Sequence, residues 1–416
     1  MIKGTFFIAV PLAVMLTAQQ PTADRAPAAA QAHRPGTYAG VASCINSGCH
    51  GSTQPLQATR VLQNEYFTWL NRDPHSQAYN VLFNAKSARI ARNMRLRRSA
   101  YQETLCLDCH STNVPANAVS GRIDLEDGVQ CEACHGPAGG WRSEHAQSGW
   151  THQQSVARGA IDLRNVQTRA RVCLACHQGN ERAEVDHELI AAGHPILPFE
   201  LDNYTATMPP HWHQDKATHG ASKATHGASA WAIGQLAAFR QSLENLARHA
   251  RGPEWPEFSD MSCHNCHHSL EGSEWRQERG WPDRAGLPSW TPQRWAVLRL
   301  LVANTSPALR GRLDPLIQQL SLKVARMNDP QGVARLADAA REAIAGAVSQ
   351  LERREWNDRE VRALIGAIAS DEAFMSQADV HTAEQVALSL QALAAALTRR
   401  DPTLMRGGLM EAIDNL

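Results

Sequence analysis

Hydrophobic and polar positions change their pattern several times along the chain. Residues 5–18 form one apolar stretch behind Lys3, the pattern of a secretory leader whose apolar part is too short to cross a bilayer comfortably. The alternative is an uncleaved N-terminal anchor. Residues 19–36, rich in Ala, Gln and Pro, read as a flexible leader. Two short helices are legible further on. Asp73-Pro74 is a helix-start signature, and residues 69–83 read as amphipathic with Ala78, Val81 and Leu82 facing inward. A second runs between His187 and His194, capped by Asp186 and ended by Gly193. After Trp290 the composition turns to Ala, Leu and Arg at helical spacing. It predicts amphipathic segments at 292–304, 307–327, 330–354, 358–370 and 382–399. Thr291-Pro292 reads as an N-cap followed by proline, and Asp329-Pro330 and Asp401-Pro402 punctuate the series. The expected fold is mainly α with little regular sheet. Its expected parts are 1–18, 19–36, a cysteine-bearing domain at 37–290 and a cysteine-free helical bundle at 291–416.

The cysteines change this picture most. All ten fall into five pairs, each followed at once by a histidine: Cys44/Cys49–His50, Cys106/Cys109–His110, Cys131/Cys134–His135, Cys173/Cys176–His177 and Cys263/Cys266–His267. Four read C-x-x-C-H; the first is C-x4-C-H, its loop lengthened around Asn46 to Gly48. About 0.01 C-x-x-C-H motifs are expected by chance at this composition. The motif is the attachment site of a c-type haem, with two thioethers to the porphyrin and the imidazole as an axial iron ligand. Five covalently bound haem c groups are therefore expected in residues 37–290, roughly one per 45 residues, enough to supply much of the core. Zinc half-sites and structural disulfides are the other readings. Zinc sites pair such half-sites across a hairpin, and a disulfide needs no histidine after every second cysteine.

Formal net charge is zero, which points away from a nucleic-acid partner. Five ferric haems with their propionates would bring the total to about −5. Arg89, Arg92, Arg95, Arg97 and Arg98 form a run that could neutralise propionates, meet an acidic partner or simply be a solvated face. Residues 216–222 and 223–229 repeat KATHGAS in tandem, so His219 and His226 need not both have roles.

The second axial ligand decides whether a haem only transfers electrons or also admits a small molecule. Fourteen histidines lie outside the motif positions. His75 sits in the first turn of its helix. His145 follows the Gly136-Pro137-Ala138-Gly139-Gly140 turn, where the backbone can double back. His194 and His187 flank one short helix. His268 must point away from the haem of its neighbour His267 and could serve another. His211 and His213 bracket Trp212. These, with His213 weakest, are the candidate distal ligands; His264, His152 and His249 are weaker, and His33 and His381 are expected on the surface.

Residues Gly128 to Pro137 (GVQCEACHGP), followed by Ser143-Glu144-His145, resemble the central signature of the cytochrome c-554 family. The stretch Trp69…His75…Ala78 resembles that family's first distal-histidine helix, and the likeness extends loosely over residues 37–290. It implies distal roles for His75 and His145. It also implies an open, five-coordinate position at the haem of the second motif, the one held by His110. The C-x4-C-H motif and the fifth motif depart from the family pattern. The expected function is electron transfer outside the cytoplasm, between other redox proteins or within a membrane redox complex, with no catalytic residue assigned. The alternative is a haem enzyme acting on a small nitrogen or sulfur compound. No C-x-x-C-K motif is present.

Overall fold

A computed structural model describes residues 36–56, 61–212, 227–269, 287–290, 293–375 and 378–399. Residues 1–35, the KATHGAS repeat as far as residue 226, His33, His213, His219, His226, Thr291-Pro292 and Asp401-Pro402 lie outside these. Among the described residues there is no sheet. Two isolated bridges, Tyr38 with Val119 and Met261 with Trp290, are the extended pairings. No helix among them is long and apolar enough to cross a membrane.

The first half consists of short helices joined by 3₁₀ turns: α1 (Glu65–Arg72), α2 (Ala85–Asn93), α3 (Thr104–His110), α4 (Cys131–His135), α5 (His152–Ala157), α6 (Val166–His177), α7 (His187–Ala192) and α8 (Leu201–Thr207). Local chemistry sets their starts. Asn84, Asn165 and Asp186 side chains accept the Ser87, Thr168 and Leu189 N–H groups at the beginnings of α2, α6 and α7. The single helix expected over 69–83 is instead α1 followed by 3₁₀ turns at Pro74–Gln77 and Asn80–Phe83. Pro74 cannot continue the α1 hydrogen-bond ladder, and the tighter turns rotate the later side chains away from their α-helical facing. Leu82 is buried as expected, but Val81 is 42% exposed.

The second half is built on long helices: α9 (Ala228–Arg251), α10 (Gln293–Thr305), α11 (Pro307–Arg326), α12 (Pro330–Glu352), α13 (Asp358–Ala369), the short α14 (Glu372–Met375) and α15 (Val380–Thr398). Five of these match the sequence-predicted segments within two residues. The exception that matters is α9, which the periodicity had not marked out. Its Trp231, Phe239, Leu243 and Leu246 are fully buried, and it lies in the same apolar cluster as Leu298, Leu313, Ile344 and Leu393 of the later helices. That cluster runs back to Val166, Ala170 and Leu174 of α6. The core therefore has no break at residue 290. The motif-bearing half is thinly packed by comparison. Its own clusters are Tyr79, Leu82, Ala91, Ala100 and Leu107, and Ile90, Leu189 and Ala192. So little apolar burial cannot by itself hold so many short helices, which is the situation expected where prosthetic groups complete the core.

Candidate haem-iron sites

Three motifs end helices: α3 on His110, α4 on His135 and α6 on His177. On a helix, residues i, i+3 and i+4 share one face, so one turn presents both sulfurs and the imidazole together. The first motif forms a turn after a 3₁₀ segment, and the fifth begins in a 3₁₀ turn at Cys263–Asn265. None of the cysteines forms a disulfide. Burial pushes the free thiols of Cys106 and Cys173 up to about 11 and of Cys131 up to about 12. Among the described residues no group of three or more His, Cys, Asp or Glu side chains converges to hold a metal ion by itself. The zinc reading therefore finds no converging donor set among the described residues.

The ten cysteines are not equally covered. Cys49 and Cys266 are exposed, whereas the other eight are half-buried. Both are the second cysteine of a motif that lies off the α-helices. Cys49 closes the lengthened Asn46–Gly48 loop, where the turn is held by the Asn46 carbonyl accepting its N–H at 2.8 Å. Cys266 follows the 3₁₀ turn, with its N–H on the Cys263 carbonyl at 3.2 Å. In the other three motifs an α-helix presses the second sulfur against neighbouring chain; a surface turn has no packed face to cover it.

Each motif histidine faces a second imidazole. The ring centres of His50 and His145 are 6.1 Å apart, of His75 and His177 6.2 Å, and of His135 and His211 6.2 Å. His110 and His194 are 6.4 Å apart, and His187 and His267 6.4 Å. Direct ring stacking would bring centres closer than this. With metal–nitrogen bonds of about 2 Å on either side of an iron, and about 1.1 Å from each ring centre to its nitrogen, two axial imidazoles would be about 6.2 Å apart. The five gaps fit that span. The ring planes of the first pair are nearly parallel, at 5°; the pairs of His177, His110 and His135 are near perpendicular at 87°, 79° and 76°, and that of His267 is at 33°.

The far nitrogens support the same orientation. His110 Nδ1 donates to the Ala78 carbonyl at 2.9 Å, His194 Nδ1 to Pro195 at 2.8 Å, His211 Nδ1 to Pro209 at 3.3 Å and His145 Nδ1 to the Arg142 carbonyl. A carbonyl only accepts, so Nδ1 carries the proton in these four and Nε2 keeps its lone pair. His75 Nδ1 pairs with Asp73 at 2.8 Å and His50 Nδ1 with Glu65 at 3.0 Å. Anchoring the second nitrogen on a carbonyl or carboxylate fixes tautomer and ring angle at metal-binding histidines. Burial pushes His177 down to about 4, with the facing His75 adding to the effect, so its ring is neutral at pH 7.

Backbone supports hold these rings in place. Gly128, at φ +67°, lies under the His75 turn, where a Cβ would come within 2.6 Å of the His75 carbonyl oxygen. The same carbonyl accepts the Val129 N–H at 3.0 Å, tying the third motif's approach to the His75 turn. Glu132, inside the third motif and 4% exposed, accepts the backbone N–H groups of Ala39, Gly40 and Ala138 at 3.0, 2.7 and 2.6 Å. It clamps the segment before the first motif onto the third. Sequence reasoning passed over this residue, although an acid between two motif cysteines was a visible signal.

The remaining candidates have other surroundings. His268 does not stand opposite a motif histidine; its ring is 5.8 Å from His264 and its Nδ1 donates to the Ser269 carbonyl at 2.8 Å. Opposite His110, where the family resemblance implies an open position, the His194 ring lies 6.4 Å away, centre to centre. His249 is held between Asp260 at 2.7 Å and Glu184 at 2.9 Å, using both nitrogens in ion pairs. His381, expected on the surface, is half-buried and within hydrogen-bond reach of Cys263, bringing α15 against the fifth motif. Ser262 adds a hydrogen bond to Asp379 at 2.7 Å, at the start of the same helix.

The motifs also approach one another, and not in chain order. Cys44 lies within electrostatic range of Cys131, Cys134 of Cys173 and Cys176, and Cys109 within hydrogen-bond reach of Cys176. Helix α7 starts at His187, facing the fifth motif, and leads through Gly193 to His194, facing the second. The spatial order is thus first, third, fourth, second, fifth.

Repeated haem-attachment motifs on an almost purely helical framework define a multihaem cytochrome c, the class in which haem c is bound covalently and electrons are transferred. The comparisons agree with that class: residues 44–136 match the family model for cytochrome c554 and c-prime. The chain is also similar to the multiheme cytochrome MtrA of Shewanella baltica (strain OS185), with 32% identity over 85 residues, 18% of this chain and 24% of the relative. It thus covers about a quarter of the length of that curated protein. No solved structure matches it.

Proposed function

We propose that this protein is an extracytoplasmic relay of five c-type haems, every one of them six-coordinate between two histidines. The pairs would be His50 with His145, His110 with His194, His135 with His211, His177 with His75 and His267 with His187. The observation that carries the reading is the facing of all five motif rings by a second imidazole at 6.1–6.4 Å. When bound, the haems supply reversible one-electron redox chemistry. The chain's residues hold the porphyrins through ten sulfurs, the exposed Cys49 and Cys266 among them. They fix the imidazole planes through their Nδ1 partners and place successive motifs side by side. The enzyme alternative needs an iron with a free position, and the His194 ring beside His110 argues against it at the site where the family resemblance suggested one. The apolar stretch at residues 5–18 and the covalent haem chemistry support a location outside the cytoplasm.

Mass spectrometry of the holoprotein combined with EPR tests this reading. Five attached haems and low-spin ferric signals alone are expected. The near-parallel first pair should give one rhombic low-spin species, and the three near-perpendicular pairs strongly anisotropic ones. Fewer than five haems, or a stoichiometric high-spin signal, would refute the proposal.

A further inference from the structure

Helix α2 has two unlike faces. Its inner side carries Ile90, packed with Leu189 and Ala192 of α7, and Asn93 Nδ2 donates to the Ala192 carbonyl at 2.9 Å. Helix α7 leads directly to His194. The outer side carries Lys86, Arg89 and Arg92 at three-residue spacing, continued by Arg95, Arg97 and Arg98, all exposed. Residues 84–102 contain no Asp or Glu, in a chain whose formal net charge is zero. Among the described residues, the carboxylate paired with this run is Glu103, at 3.7 Å from Arg98. Positive charge is therefore concentrated here and left largely uncompensated.

The turn leading into α2 adds an exposed apolar patch. Phe83 is 56% exposed and Val81 42% exposed. Phe83 stacks on Tyr101 at 4.3 Å, and Tyr101 packs against the small cluster that also receives Cys106 of the second motif. Lys86 lies within electrostatic range of the His194 ring. An apolar centre with a charged rim is the anatomy of a transient protein interface, and this one lies directly over the site between His110 and His194.

We propose that this face docks an acidic redox protein, with Phe83 and Val81 as the apolar contact and the α2 cations as the steering rim, and that electrons cross to or from the haem of the second motif. The inference rests on the relay reading and adds to it the partner's chemistry and the point of exchange. A partner seated on α2 would be separated from that site by about one helix diameter, roughly 10 Å. Opposite charges on the two surfaces raise encounter rates by about 10- to 1,000-fold, an advantage that salt removes.

Stopped-flow reduction of the holoprotein by flavodoxin hydroquinone, an acidic one-electron donor, tests this. The rate should fall steeply with ionic strength. The double variant Arg89→Glu/Arg92→Glu should be about tenfold or more slower at low salt, with a flattened salt dependence. Reversal of exposed charges elsewhere, Arg326→Glu/Arg362→Glu, should change the rate less than about twofold. Dithionite should reduce every variant fully, which separates a docking defect from loss of haem; incomplete reduction of the wild type by dithionite would count against the relay itself. The docking proposal is overturned if the two double variants behave alike. It is equally overturned if Arg89→Glu/Arg92→Glu shifts a haem potential with unchanged salt dependence, which would make the cations propionate partners. Loss of binding to phosphatidylglycerol vesicles with unchanged flavodoxin kinetics would also overturn it, making the face a membrane contact.

Discussion

Removing His194 is the sharpest perturbation of the haem reading. Its ring stands 6.4 Å from His110, centre to centre, at the C-terminal end of α7, after the left-handed Gly193 cap. The side chain is only half-buried, and the hydrogen bond it makes is Nδ1 to the Pro195 carbonyl. Apart from the bond to iron, truncation to alanine therefore costs about 0.5–1.5 kcal/mol of local stability, small beside a domain's total. The effect at the iron is large by comparison. The His110 haem would lose its sixth ligand and change from low-spin to high-spin in about one-fifth of the total haem. The reduced His194→Ala holoprotein should bind about one carbon monoxide per chain, where the wild type binds none. Visible and EPR spectra with a carbon monoxide titration measure both quantities. His268→Ala is the matched control, because its ring lies beside His264 and not opposite a motif histidine; it should leave both spectra unchanged. Carbon monoxide binding by the wild type, or an unchanged spectrum in His194→Ala, would refute the pairing.

Two further outcomes concern charged groups that hold the scaffold. Glu132→Gln removes the charge from a buried carboxylate that accepts three backbone N–H groups and turns one acceptor oxygen into a donor; chemical denaturation of the holoprotein should show a loss of about 1.5–3 kcal/mol, and a change under about 0.5 would remove Glu132 as a clamp. Burial alone would lower His249, but its ion pairs with Asp260 and Glu184 raise it to about 10. Because the folded value exceeds the ordinary 6.5, this contribution to stability is complete below pH 6.5 and is lost as pH rises through about 10. His249→Gln should accordingly flatten the alkaline fall in denaturation midpoint between those pH values, and an unaltered slope would contradict the assignment.

Local chemistry was legible in the chain because it is written in adjacent residues. A C-x-x-C-H motif closes its sulfurs and imidazole within one helical turn, so its meaning needs no tertiary context. How far each sulfur is covered does need that context, which is why Cys49 and Cys266, on turns without a packed face, stand apart from the other eight. The amphipathic segments after residue 290 were readable, since helical periodicity and the Asp-Pro starts act over a few residues. Where a strong local breaker met a weak pattern, the reading failed: Pro74 divided the expected 69–83 helix and turned Val81 outward, to the edge of the basic face. Helix α9 escaped notice although Trp231, Phe239, Leu243 and Leu246 repeat at helical spacing, and with it the continuity of the core across residue 290.

The histidines show the limit most clearly. His75, His145, His187, His194 and His211 could be singled out by caps, turns and prolines, but nothing local distinguishes them from His268, and nothing local says which motif each one faces. His75 lies 102 positions before His177, and His194 lies 84 after His110. Such pairings depend on how short helices pack, because a gap of about 6 Å between two imidazoles is a property of three-dimensional placement and not of spacing along the chain. The sequence by itself determined the cofactor chemistry and the helical class. Only the tertiary structure decided that the His110 site is faced by His194, that the motifs neighbour one another out of chain order, and that the cations of α2 lie over one of them.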